Sequence, residues 1–444
     1  MVLACAAVAA RPAQAQDASL QAIFSGSIGF TDNVLSTPEQ DPLGPEADGF
    51  GSVSPGLVFR YDTPRTAQSL SYTFTRSFFF RHSEASSYTN TAVWAGRFTT
   101  SPTTELTLGL IGTQGQLNTF IRAQTPGQTS LSAVPPGGTV FVQGGVNEGF
   151  SKQLSPVVGV AQSASFLVYS PLTEEPPART YNATNTLSAQ RLWRDDIGAL
   201  ALTFAYTHFE NVTVGTPGSE QLESRDQLLN TFVASWQHDY RNHFSSQLDL
   251  GVSQSADLGG EHGQLWQPAG LLAARYVREE AQAELAYTHA AQLNVFLSQV
   301  SLVDAVTLRL ALPIDAAARL WAEGSAGVQL AQPIEDGQLG DGTTVLLGDA
   351  ALLWSPVTFI PGLELALRYQ RLEQIATTSA ADIRLVRNTV VLSVSGAFPE
   401  TEATGSRILM TQPFGAAPPA RRARREAPAE EPAGEQPGSG RRAE

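Results

Sequence analysis

Six histidines, His82, His208, His238, His243, His262 and His289, are the side chains best suited to metal binding or proton transfer, and none stands at metal-ligand spacing. His238 and His243 bracket a short turn, where both rings are expected to be solvated. The loop Glu335-Asp336-Gly337-Gln338-Leu339-Gly340-Asp341-Gly342 has carboxylates that suit a divalent cation, although its Gly and Asp content is better explained as turn chemistry. No nucleophile elbow, phosphate-cradling glycine loop or paired-carboxylate signature occurs. A hydrolase assembled from a distant Ser and His stays open, because such sites are spatial and not sequential. The reading is no catalytic residue, no cofactor and no metal.

The charges that do follow a pattern lie inside alternating segments. Leu363, Leu365, Leu367 and Tyr369 alternate with Glu364, Ala366, Arg368 and Gln370, and Leu200, Leu202, Phe204 and Tyr206 alternate with Ala201, Thr203, Ala205 and Thr207. Period-two alternation is the signature of a strand with one apolar and one polar face. A basic side chain turned to lipid near the midplane costs about 2–4 kcal/mol, so the charged face must be the one turned away from lipid. By this parity Arg60, Arg97, Glu105, Asp249, Arg275, Glu284, Arg309, Glu323, Asp349, Glu364 and Arg368 are expected to line a watery lumen. Their signs are mixed and scattered, which suits a polar lining better than a selectivity filter. Arg76 resists the pattern by sharing parity with Phe74 and Phe78; it requires either a bulge or a place at the outer rim.

The elements that would carry these residues number about 18. They run from Leu20–Phe30 to the closing segment Arg387–Phe398, whose Val390, Leu392, Val394, Gly396 and Phe398 form an apolar face ending on an aromatic. Short turns such as Asp62-Thr63-Pro64-Arg65 and Arg278-Glu279-Glu280 alternate with longer loops, of which 31–51 and 117–138 are the longest and could fold inward. The segment Thr139–Lys152 is Gly-rich and barely alternates, so its strand is the weakest of the set. The fold class expected is all-β, a transmembrane antiparallel up-and-down β-barrel with short periplasmic turns and longer extracellular loops, placed in the outer membrane.

Composition agrees. With 42% hydrophobic and 16% charged residues the chain is neither disordered nor a helical membrane protein, and no run approaches the roughly 18 apolar residues of a helical span. Residues 1–15 read as a signal peptide, with Ala13-Gln14-Ala15 as the cleavage site and Cys5, the single cysteine, inside it. The basic start of such a leader is missing, so either the true start lies upstream or the signal is atypical; a lipoprotein reading at Cys5 is poor. Residues 16–398 form the barrel. Residues 399–444, with seven Arg and seven Glu among Pro, Ala and Gly, read as a disordered periplasmic tail. Its run Arg421-Arg422-Ala423-Arg424-Arg425 could dock an acidic partner or cell-wall polymer, with a solvated charge run as the plainer reading; a last strand ending near Phe414 is the alternative to one ending at Phe398.

Two short motifs carry a resemblance: Phe30-Thr31-Asp32-Asn33-Val34 after the first strand, and Arg387-Asn388-Thr389-Val390-Val391-Leu392-Ser393-Val394-Ser395 in the last. With them the chain resembles the outer-membrane β-barrels of exopolysaccharide secretion systems in Gram-negative bacteria, in particular the 18-stranded barrels of myxobacterial polysaccharide export. The resemblance implies a passive conduit without cofactor or catalysis, acting with a periplasmic polysaccharide export protein. Outer-membrane lipid and the barrel assembly machinery are the other expected partners, and nucleic acid is not one. A diffusion porin for small solutes and a non-transport adhesin or scaffold remain the alternatives, because fold does not fix function.

Overall fold

The computed structural model describes residues 17–398 apart from residue 43 and segments 118–138, 173–177, 215–220, 241–242, 259–263, 279, 295–298, 316–318, 336–337, 356–362 and 378–381. The expected leader, the expected tail with its arginine run and the alternative strand near Phe414 lie outside these residues. So does the loop 118–138.

The strands are β1 Asp17–Thr31, β2 Asp48–Thr63, β3 Thr66–Phe79, β4 Ser87–Ser101, β5 Thr104–Leu117, β6 Thr139–Ser155, β7 Val158–Pro171, β8 Arg179–Trp193 and β9 Asp196–Val214. They continue as β10 Gln221–Asp239, β11 Phe244–Asp257, β12 Gln264–Arg278, β13 Ala281–Asn294, β14 Gln299–Pro313, β15 Leu320–Glu335, β16 Gln338–Leu339, β17 Thr343–Trp354, β18 Leu363–Thr377 and β19 Asp382–Phe398. Each long strand pairs antiparallel with its neighbours in sequence, β15 pairs directly with β17, and β19 pairs back onto β1. The result is a closed barrel of 18 long strands, with the two-residue β16 folded back on β15 as Ile334–Leu339 and Glu335–Gln338. Glu335, Gln338 and Leu339 of the acidic loop are thus strand residues paired in a hairpin.

Closure follows from the chemistry of the strands. Their outer faces are apolar, so an open edge would leave backbone N–H and C=O groups in hydrocarbon, and pairing β1 with β19 removes the last edge. The 18 long strands hold 12 to 19 residues, more than the 9–11 or so that cross a bilayer. The excess lies mainly on the long-loop side. There β9 runs to Val214, β15 to Glu335 and β18 to Thr377. The turn between β17 and β18 spans 355–362 and is longer than the opposite-side loops 295–298 and 378–381, so the long-short alternation is a tendency and not a rule.

The weak segment is a full strand: β6 pairs without a break with β5 from Thr104–Lys152 to Leu117–Thr139. It alternates poorly because Glu148 and Lys152 lie on the same face as Val142, Val146 and Phe150. Arg76 needs no bulge. It sits opposite Val53 and Tyr88 on the outer face, three residues from the long-loop end of β3, and is exposed.

Candidate functional site

Two rows of side chains, read across the strands, define the two surfaces of the barrel. Ser245, Arg275, Glu284, Arg309, Ser325, Asp349, Gln370 and Thr389 lie directly opposite one another from β11 to β19, every one polar. On the opposite face Leu248, Leu272, Tyr287, Val306, Val328 and Leu346 form an apolar row. The apolar face is the outer one, with Leu20, Leu57, Leu200, Leu250, Leu272 and Leu392 each about half or more exposed. Such a belt on a closed sheet is a lipid-facing surface. The polar face encloses the lumen.

All eleven charges singled out from alternation fall on the face opposite the apolar belt. Arg275, Glu284 and Arg309 stand in one row with alternating sign. Asp349 lies two strands further on, 3.7 Å from Arg368 Nε, and accepts a hydrogen bond from Gln370 Nε2 at 3.0 Å. Glu323 lies opposite Ala311 and Ala351, and Glu364 opposite Ser395. Asp249 accepts Gln247 Nε2 at 3.0 Å. On the far wall Arg60 lies opposite Ser19 and Ser69, Arg97 opposite Ala67 and Thr107, and Glu105 opposite Thr99 and Ser151. The charges therefore form a dense arc over β11–β18 and a sparse one over β2–β5. Phe398 ends β19 opposite Ala22 and is 78% exposed on the outer face.

The two short motifs meet each other. Asp32 accepts the Asn388 backbone N–H at 2.7 Å and its Nδ2 at 2.6 Å. Asn33, fully buried, donates Nδ2 to the carbonyls of Thr37 and Val386 and accepts the Thr37 N–H. Arg387 donates to Ser36 Oγ at 3.1 Å. Val34 drops onto Phe50, Phe79 and Ala85, with Val391 beneath. Residues 32–42 and 44–47 thus fold inward over the seam between β19 and β1, the course that was open to that loop, and are tied to the next loop by His82, whose ring nitrogens bond Glu46 and Glu84 at 2.9 and 3.0 Å. The backbone hydrogen bond within Glu84 and the one from His82 hold the Glu84 carboxyl below its ordinary range.

A second fold-over was invisible in the sequence. The β12–β13 ladder stops at Gly270–His289, so Gln264–Ala269 and Ala290–Asn294 part company. Above the fork Val300, Leu302 and Ile334 pack together with Leu265, Ala291 and Leu293. The tops of β13, β14 and β15 therefore lie against β12 instead of standing beside it. Beneath them Gln267 and Ser253, directly opposite each other, are buried, and among the described residues neither the Gln267 amide nor the Ser253 hydroxyl has a partner.

Inner-face aromatics were also missed. Phe50 with Phe79 and Phe141 with Tyr169 pair at centroid distances of 5.4 and 5.9 Å near the long-loop end, all buried. On the outer face the repeated Ala-Tyr-Thr-His of 205–208 and 286–289 could have been found by looking for repeats. In each copy the Tyr hydroxyl and His Nδ1 both donate to one carboxylate on the next strand: Tyr206 (2.6 Å) and His208 (2.8 Å) to Asp226, Tyr287 (2.8 Å) and His289 (2.7 Å) to Asp304. At the short-turn end Trp236 and His238 donate likewise to Asp196, at 3.0 and 2.6 Å. The expectation of a solvated His238 is corrected by that carboxylate. Aromatic and polar clasps of this kind mark the two interfaces of a membrane-spanning barrel.

These surfaces define an outer-membrane β-barrel: an even number of antiparallel strands, an apolar belt and a polar interior. Solved structures of similar architecture include the outer membrane protein opdK from Pseudomonas aeruginosa (9% identity, 86% of this chain and 99% of that chain, TM-score 0.47). Others are OccAB3 of Acinetobacter baumannii (11% identity, 86% and 99%, TM-score 0.46) and the FrpB iron transporter from Neisseria meningitidis (9% identity, 86% and 82%, TM-score 0.46). At these values they assign neither a family nor a substrate. No protein-family model matches the chain, and no curated protein matches its sequence.

Proposed function

We propose that the barrel is a passive outer-membrane conduit for a hydrophilic solute, and that this solute is a polysaccharide delivered by a periplasmic export protein. The observation that carries the reading is the unbroken polar row from Ser245 to Thr389, which offers hydrogen bonds and mixed charge along half of the wall. Arg60, Arg97, Glu105, Asp249, Arg275, Glu284, Arg309, Glu323, Asp349, Glu364 and Arg368 line the passage in this reading. Alternating signs keep the potential low and suit a neutral or weakly charged polymer better than an ion-selective pore. The aromatics of the mouth are buried, Phe50 and Phe79 against Val34 and Phe141 and Tyr169 against Leu293, so passage relies on the polar wall and not on ring stacking.

The test is the surface polysaccharide of a strain lacking this protein beside the complemented strain. Loss that complementation restores, with the envelope intact, supports export. Unchanged polysaccharide rejects it, and uptake of small sugars by proteoliposomes then decides for a diffusion porin.

A further inference from the structure

The lipid-facing surface is not uniform. Glu148 on β6 lies in a row with Leu108, Ala164, Asn185 and Phe204, and its face is the apolar one: Val146 and Phe150 flank it along the strand. Gln162 on β7 and Asn185 on β8 share that face, with Gln162 Nε2 donating to Asn185 Oδ1 at 3.3 Å. Exposed Leu110, Phe166 and Leu187 surround the three, so the polar groups sit inside the apolar belt and not at its edge. Glu148 is exposed and makes no ion pair among the described residues. A carboxylate and two amides facing hydrocarbon without water leave most of their hydrogen-bonding capacity unused, which is costly.

The relief of this wall is low as well. Gly112 and Gly144 lie opposite each other two outward-facing positions from Glu148 toward the loops, and a side chain added at either would meet nothing within 4 Å. Across β11–β14 the same belt carries the bulkier Leu250, Leu272, Leu285 and Leu308. Close approach of another protein is therefore easiest at the loop-side border of the polar patch.

We propose that the β5–β8 wall is the interface through which two copies of this chain associate side by side in the membrane. The patch is self-complementary under a two-fold axis near Gln162: Glu148 has only acceptors, and Gln162 and Asn185 have unused amide N–H donors. Rotating one copy onto the other brings each Glu148 to the other copy's amides. Two such contacts across a lipid-excluded interface give a dimer with hydrogen bonds in place of the bare polar row.

The full chain, extracted with its native lipid into polymer nanodiscs, is expected to give the mass of a dimer by native mass spectrometry. Glu148→Leu is expected to weaken association about tenfold, from the loss of two membrane-buried polar contacts, while the barrel keeps its heat-modifiable gel mobility. In a Cys5→Ser background a short bismaleimide is expected to crosslink Gln162→Cys and to leave Leu285→Cys, on another wall, as monomer. A monomer throughout, a complex with a different protein, or equal crosslinking of the two variants overturns the proposal, and a Glu148→Leu barrel that dimerises like the parent does so too. None of these readouts depends on what the lumen passes.

Discussion

At the seam, β19 and β1 stay paired from Ala22–Phe398 to Thr31–Thr389, and the loop beyond them is pinned by Asp32, Asn33 and Ser36 to Asn388, Val386 and Arg387. At the fork, β12 and β13 separate at Gly270–His289, the strands above fold over, and Gln267 and Ser253 are buried without partners. Both regions narrow the same end of the barrel, by opposite means. Asn33, Ser36 and Arg387, buried at the seam, are all hydrogen-bonded, whereas the fork relies on apolar packing and leaves the Gln267 amide and the Ser253 hydroxyl without a partner among the described residues. A buried amide without a partner costs about 1–3 kcal/mol, so the fork is the place where opening recovers free energy through hydration.

This difference can be tested by removing the seam's best-bonded residue. Asn33→Ala strips three hydrogen bonds from a fully buried site and leaves the Val386 carbonyl unpaired. A loss of about 3 kcal/mol is expected in urea unfolding of the barrel in detergent. Next comes a lock at the fork. In a Cys5→Ser background, Leu265→Cys with Val300→Cys joins two residues of one apolar cluster, and oxidation is expected to lower solute flux several-fold, with reductant restoring it. Unchanged flux in the oxidised protein would show that the fold-over does not move during passage.

Smaller effects refine the contrast. Gln267→Leu exchanges a partnerless amide for an apolar group, so it is expected to stabilise the barrel by about 1 kcal/mol, opposite in sign to Asn33→Ala. Tyr287→Phe removes one hydroxyl from Asp304 and is expected to cost about 0.5–1.5 kcal/mol in the same assay.

The least effect belongs to the β14–β15 turn, away from both regions. There Asp315 accepts the N–H groups of Leu320 and Arg319 at 2.8 and 2.7 Å, and the bond from Leu320 leads in holding its pKa below the ordinary 3.8. The stabilisation is present above the unfolded-state pKa and fades as pH falls through the lower folded value. Asp315→Asn should therefore melt below the parent at neutral pH and converge with it in acid.

Much of this was legible in local pattern. Glu364, Arg368 and their alternating leucines gave face and strand together, because the side-chain period of a strand is two and lipid tolerates few charges. The same logic blurred at Thr139–Lys152, where Glu148 stands among apolar neighbours. His238 was misread because its partner, Asp196, lies 42 residues away on the neighbouring strand.

By itself, then, the sequence determined strand identity, strand number and which side chains share a face, since each depends on residues within one segment. Only the tertiary structure decided which segments meet across closure. The Asp32–Asn388 contact joins residues 356 apart, and no short-range periodicity encodes it. The fork was likewise decided only in three dimensions. Leu265 reads as an ordinary strand residue until the tops of β13 to β15 choose packing against it over continued pairing, a balance of burial against hydrogen bonding that depends on non-local neighbours.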